Sequence, residues 1–204
     1  MTTIARQTPP PRMTVADFLD WPGDGTTKHH QLVGGEVRAM APASATHGII
    51  QATLAYLVTR RLIEAESPCR AVTEPAVVPR LQANTNLRVP DLGVTCSPNE
   101  PGQIVVPDPV LLVEILSPGN EADTRENIWA YASIPSVREI LIVHSTRVAA
   151  ELLRRQPDAS WPKEPEEIGP DDTLRLESID LTCPLIISTR APTSPKVVHQ
   201  PPHL

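Results

Sequence analysis

Three carboxylates stand in otherwise apolar, strand-like stretches of the sequence: Glu36, Asp91 and Glu114. Glu114 is the most informative of them, because it interrupts the apolar run 110–117, which reads VLLVEILS. A run this apolar is typical of a central strand that is buried on both faces of a sheet. A carboxylate in that setting is costly unless it is protonated, bound to a cation, paired with a buried arginine or placed at a strand end with its head in water.

Asp91 adds a second carboxylate to the pattern. It follows Pro90, and Glu114 comes about twenty residues later on an apolar strand, which is the layout of a PD-(D/E)xK phosphodiesterase site. Two carboxylates about 5 Å apart repel by about 3 kcal/mol at an effective dielectric near 20. A divalent cation removes that repulsion, and it also activates water and polarises a phosphodiester. Common turn chemistry would account for a Pro-Asp dipeptide alone, and a carboxylate placed like Glu36, just after a hairpin turn, is usually solvated.

Composition bounds the class of protein. The chain has 204 residues and a net charge of −6, and only 3% of its residues are aromatic. The charge argues against a dedicated DNA-binding module, and the few aromatics argue against a surface that stacks single-stranded bases. An enzyme that meets phosphate through a metal ion remains compatible with both observations.

The cysteines and the apolar segments indicate a cellular setting. Cys69, Cys96 and Cys183 match neither a disulfide framework nor a zinc pattern, so we expect reduced thiols. No apolar run has membrane-spanning length, and residues 1–13 lack the apolar core of a signal peptide. These features predict a cytoplasmic protein.

The order of elements predicts an α/β (α+β) domain with a mixed sheet. Residues 13–190 form the predicted domain, and the proline-rich residues 1–12 and 191–204 are expected to be disordered tails. Apolar spacing predicts a short helix after Thr14, a hairpin with a Gly34-Gly35 turn, and helices over about 46–66 and 123–133. The remaining predicted strands cover 70–78, 87–95, 110–117, 137–144 and 148–155, and short strands or turns fill 161–187.

Four segments in one order resemble the Uma-two family of restriction-endonuclease-like proteins, in the PD-(D/E)xK superfamily. They are 36–47 (EVRAMAPASATH), 89–94 (VPDLGV), 112–120 (LVEILSPGN) and 129–143 (WAYASIPSVREILIV). The resemblance implies a restriction-endonuclease-like core, a central mixed sheet flanked by helices. It also implies metal ligands at Glu36, Asp91 and Glu114. His47 matches a histidine at the start of the long helix, where it would orient a ligand or a phosphate.

One position departs from the family pattern. The superfamily lysine, two residues after the glutamate, is Leu116 here. The family instead carries its lysine four residues before a tyrosine, which corresponds to Asn127 before Tyr131. Losing a charged donor to a phosphoryl transition state costs on the order of 100-fold in rate. Arg125 lies on a different helix face from Asn127, so we expect no simple replacement, and Tyr131 is expected to pack in the core.

The leading hypothesis is an endonuclease that acts on DNA with Mg²⁺ or Mn²⁺. Glu36, Asp91 and Glu114 would hold the metal, with His47 and Asn127 completing the catalytic set. The alternative is a catalytically weak or inactive protein of the same fold that serves as a binding or assembly module. A metal-dependent hydrolase of another substrate ranks lower, since clustered histidine ligands are lacking. Because many endonucleases cut both strands with two sites, a homodimer is expected.

Overall fold

The computed structural model describes residues 12–185, so both predicted tails, apart from Arg12, and the end of the predicted domain lie outside the described residues. Its helices are α1 (Val15–Leu19), α2 (Ala45–Glu64) and α3 (Glu121–Ala132). Within the described residues, no helix combines the length and apolar character needed to cross a membrane. The strands are β1 (His30–Val33), β2 (Glu36–Ala39), β3 (Arg70–Thr73), β4 (Leu92–Thr95), β5 (Pro109–Leu116), β6 (Glu139–His144), β7 (Ala150–Arg154), β8 (Glu166–Ile168), β9 (Thr173–Leu176) and β10 (Leu181–Pro184).

Six strands form the central sheet, in the order β3-β4-β5-β6-β7-β8. The β5–β6 pair is parallel, because α3 carries the chain back across the sheet between them. The other neighbours are antiparallel. The predicted central mixed sheet with flanking helices is therefore confirmed, and the apolar run around Glu114 is its interior strand β5.

The two long helices cover opposite faces of this sheet. Ile50, Leu54 and Val58 of α2 pack in one core cluster with alternate residues of β5. Those residues are Leu111, Val113 and Ile115. Leu112 packs in a second cluster that contains Tyr131 of α3. Because side chains alternate along a strand, Glu114 projects to the same face as Leu112, toward α3.

The predicted hairpin is present as β1 and β2, whose turn is Gly34-Gly35. Both glycines have positive φ, 57° and 87°, as a two-residue turn of type I′ requires. The pairing Val33↔Glu36 flanks the turn, and His30↔Ala39 closes the opposite end of the hairpin.

Two strands are shorter than the predicted 70–78 and 87–95. β3 ends at Thr73 because Glu74 adopts a left-handed φ of 49° and Pro75 then offers no N–H. Pro90 similarly delays the start of β4 to Leu92. Beyond the paired strands, the Glu74 N–H donates to the Asp91 carbonyl at 3.2 Å, and Val77 and Arg88 exchange two backbone hydrogen bonds, each 2.9 Å long.

The expectation of three reduced cysteines is wrong for two of them. Cys69 and Cys96 form a disulfide, and Cys183 is free and half-buried. Arg70 pairs with Thr95 across β3 and β4, so the flanking residues 69 and 96 are brought opposite each other. This juxtaposition arises from strand register and leaves no trace in the spacing of 27 residues.

Candidate active site

An open cavity of about 690 Å³ lies at the carboxyl ends of the parallel strands β5 and β6. The loops that follow these strands line it, as do the first turns of α2 and α3 and the segment before β1. Asp91, Glu114, His47 and Asn127 all contribute to its wall. The structure therefore brings together four of the five residues that the sequence singles out.

Asp91 is held beside Glu114 by the backbone of β5. The N–H of Ile115 donates to Asp91 Oδ2 at 2.6 Å, and His47 Nε2 lies 2.8 Å from Asp91 Oδ1. Gln51 of α2 also donates to the Asp91 carbonyl at 2.9 Å. Since Ile115 directly follows Glu114 in the chain, the first of these bonds fixes the two carboxylates as neighbours.

Glu114 is only 5% exposed, and both of its described hydrogen bonds reach one oxygen. Tyr131 donates its hydroxyl to Oε1 at 2.6 Å, and Asn127 Nδ2 donates to the same atom at 3.1 Å. No residue between 12 and 185 donates to Oε2. Burial, and then the neighbouring charge of Asp91, raise the pKa of Glu114 to about 8.

His47 sits in the first turn of α2, where Ser44 caps the helix by accepting the His47 backbone N–H. Its ring is buried against Asp91, and this hydrogen bond raises the pKa of His47 above its usual value. The start of a helix carries partial positive charge, which favours anions. His47 and the helix start thus place positive potential at the cavity wall, with the His47 ring directly against Asp91.

Asn127 and Tyr131 both face Glu114 from α3. Asn127 occupies the position where the family resemblance implies a lysine, so that lysine would also have pointed at Glu114. The Oδ1 atom of Asn127 is buried and has no hydrogen-bond partner among the described residues. Tyr131 is fully buried in the α3 core, as expected, but its hydroxyl also holds the Glu114 carboxylate.

Glu36 is the one predicted site residue that the structure does not bring to the cavity. It is exposed and lies at the turn end of the hairpin, whereas Ala39 and Met40 at the far end of β2 line the cavity. Three residues of strand separate these ends by roughly 10 Å. Arg125 is also directed elsewhere, because it makes a two-point contact with Glu151.

Sequence reasoning missed several contributors. Lys28 and Glu74 line the cavity from segments with no recognisable motif. Arg88 is only 3% exposed, and its charge lowers the pKa of Glu114 without a hydrogen bond between them. Its one described side-chain bond is to Glu126, at 3.4 Å. Glu114 is therefore not paired with a buried arginine through a hydrogen bond, and Arg88 acts on it only by longer-range charge attraction.

The donor set fits a hard divalent cation. No group of three or more histidine, cysteine, aspartate or glutamate side chains between residues 12 and 185 is arranged to hold a metal. Mg²⁺ nevertheless binds through one or two carboxylates, with water and substrate phosphate completing its shell. Asp91 and Glu114 supply two carboxylates. Both described hydrogen bonds of Glu114 go to Oε1, and Oδ1 of Asn127 is buried without a partner among the described residues.

Three comparisons show which known proteins this chain is similar to. The family model Uma2, described as "Putative restriction endonuclease", matches residues 15–185. The uncharacterized protein slr1290 of Synechocystis is 28% identical over 176 residues, which cover 85% of this chain and 90% of that protein. A crystal structure titled as a putative nuclease belonging to DUF820, from Anabaena variabilis, aligns with a TM-score of 0.70. It is 19% identical and covers 87% of this chain and 97% of its own, a likeness of fold.

Proposed function

Because the chain belongs to the Uma2 family, we propose that it is a metal-dependent endonuclease that hydrolyses phosphodiester bonds of DNA. The observation that carries the proposal is the pairing of Asp91 and Glu114 in one cavity through the Ile115 N–H. A second carboxylate beside Glu114 raises the pKa of Glu114 and opposes its ionisation, which is a cost to the fold. A site that receives a cation and a phosphate gives both carboxylates a role.

In this proposal Asp91 and Glu114 hold Mg²⁺ or Mn²⁺, which would polarise the phosphodiester and lower the pKa of a bound water. Tyr131 and Asn127 fix the Glu114 carboxylate by binding Oε1, which leaves Oε2 directed to the ligand. Asp91 is held through both oxygens, by His47 at Oδ1 and by the Ile115 N–H at Oδ2. These contacts orient both carboxylates before the substrate arrives, so little reorganisation is needed on binding.

One observation favours a second function, a binding or assembly module without turnover. Asn127 places a neutral amide where the family resemblance implies a lysine, so this position contributes no charge to a transition state. In this second reading metal and DNA bind to the cavity, and the phosphodiester stays intact.

Cleavage assays separate the two functions. Supercoiled, linear and single-stranded DNA are incubated with Mg²⁺ or Mn²⁺, and Asp91→Asn and Glu114→Gln are compared with the unchanged chain. Glu167→Gln on β8 is the matched control, because it neutralises an exposed strand carboxylate away from the cavity. Metal-dependent cleavage lost in both site variants, and kept in the control, supports the endonuclease. Equal cleavage in all four proteins would refute it.

Metal-linked stability identifies the binding module. When the free metal concentration is 100 times the dissociation constant of the site, binding stabilises the folded chain by about 2.7 kcal/mol. Stabilisation by metal without any cleavage supports the module, and Glu36→Gln measured alongside tests the metal-binding role that the family resemblance implies for that residue.

A further inference from the structure

The cavity has an unusual balance of charge. Four carboxylates line it, from Glu74, Asp91, Glu114 and Asp123. Among the lining residues that the structure describes, Lys28 is the one lysine or arginine. A phosphodiester brings further negative charge, so a site that accepts it needs positive charge besides a metal and a histidine.

The arginines near the cavity are engaged elsewhere. Arg125 binds Glu151, with Nη2 2.8 Å from Oε1, and Arg38 binds Glu126 at 2.9 Å. Arg88 lies beneath the site, buried and outside the cavity wall. None of these three arginines lines the cavity.

Lys28 is free to meet a ligand. Its side chain is exposed and forms no ion pair with another residue in the range 12–185. The backbone around it is held, because Thr26 bonds Asp24 and because the Met40 N–H donates to the His29 carbonyl at 2.8 Å. The ammonium group therefore sits on a flexible stem that is anchored at the cavity rim.

We propose that Lys28 contacts the phosphate of bound DNA and supplies the positive charge that position 127 lacks. This inference rests on the proposed endonuclease function and names a residue for it. The charge comes from the segment before β1 instead of from α3, so it approaches the cavity from the hairpin side. The ammonium stabilises the charge on the phosphoryl oxygens, and no proton transfer or covalent bond is assigned to it.

The test compares Lys28→Gln, Lys28→Arg and the control Lys163→Gln, which removes an exposed lysine outside the cavity. We expect Lys28→Gln to lower kcat for metal-dependent cleavage by about 100-fold, as removal of other transition-state donors does. Lys28→Arg should keep a measurable part of the rate, and Lys163→Gln should keep all of it. DNA affinity, measured separately, should fall less than kcat.

Rescue at position 127 makes the test specific. Asn127→Lys should restore cleavage to the Lys28→Gln variant, whereas Asn127→Gln should not. Full activity in Lys28→Gln overturns the inference, while loss of activity in Asp91→Asn keeps the endonuclease. If the unchanged chain does not cleave DNA and the Asn127→Lys variant does, Lys28 does not supply the charge that position 127 lacks. Absence of cleavage in every variant refutes the proposed function itself.

Discussion

Replacing Glu114 by glutamine should make the folded protein more stable at alkaline pH. The two side chains have the same shape, and the glutamine carbonyl can accept from Tyr131 and Asn127 as Oε1 does now. The glutamine amide then takes the place of Oε2, which no described residue contacts as a donor. The substitution therefore removes a buried charge and keeps both hydrogen bonds to the remaining oxygen.

The pKa of Glu114 sets the size of the effect. It is raised from 4.5 to about 8 in the folded chain. Between pH 4.5 and pH 8, the folded state therefore holds a proton that the unfolded state has lost. Stability consequently falls as the pH rises from 4.5 to 8 and is lowest above 8. At about 1.4 kcal/mol for each pH unit, the ceiling of this penalty is about 5 kcal/mol. We expect Glu114→Gln to recover at least about 1 kcal/mol of it.

Urea unfolding of both proteins between pH 4 and pH 9 measures this difference. The free energies of unfolding should agree near pH 4 and diverge as the pH rises, because other groups titrate equally in both proteins. Added Mg²⁺ should stabilise the unchanged chain and leave Glu114→Gln unaffected. A variant that is less stable at pH 9, or whose stability falls with pH as steeply as that of the unchanged chain, would refute the reasoning.

Three further predictions concern neighbouring contacts. The stabilisation from the His47–Asp91 pair is full below about pH 6.5 and is lost as the pH rises through the raised pKa of His47. His47→Gln should therefore make stability fall less steeply with pH in this range, and an unchanged slope would contradict the pairing. Tyr131→Phe removes the 2.6 Å bond to Glu114, so it should cost ~1–3 kcal/mol in urea unfolding and weaken Mg²⁺ binding at pH 7; equal metal affinity would argue against the contact. Cys69→Ser with Cys96→Ser opens the disulfide between these residues and should cost ~2–4 kcal/mol. Reductant should lower the Tm of the unchanged chain alone, and equal lowering in both proteins would mean that the disulfide is absent in solution.

The fold was largely predictable because its core elements have strong local patterns. β5 and α2 are long and regularly apolar, and the Gly34-Gly35 turn specifies its hairpin. The end of β3 and the start of β4 were less predictable. They depend on Pro75 and Pro90, whose effect on backbone hydrogen bonding depends on where the neighbouring strand lies.

The site was predictable where burial makes a charge conspicuous. Glu114 and Asp91 stand out because carboxylates in apolar strands need a reason, and His47 entered only through the family resemblance. Lys28 and the Cys69–Cys96 pair depend on segments that meet in the folded chain, so no local spacing reports them. The distance of Glu36 from the cavity could not be predicted, because a hairpin has two ends and only the end away from this turn lines the cavity.

The alternation of side chains along β5 also limits which insertions and deletions the gene can accept. One extra residue after Val113 would turn Glu114 into the core beneath α2 and Ile115 to the α3 face, since neighbours on a strand face opposite sides. The same insertion at Gly119, in the loop beyond the strand, meets open space around that residue. Length variation in natural or engineered variants should therefore concentrate after residue 116 and spare the eight residues of β5.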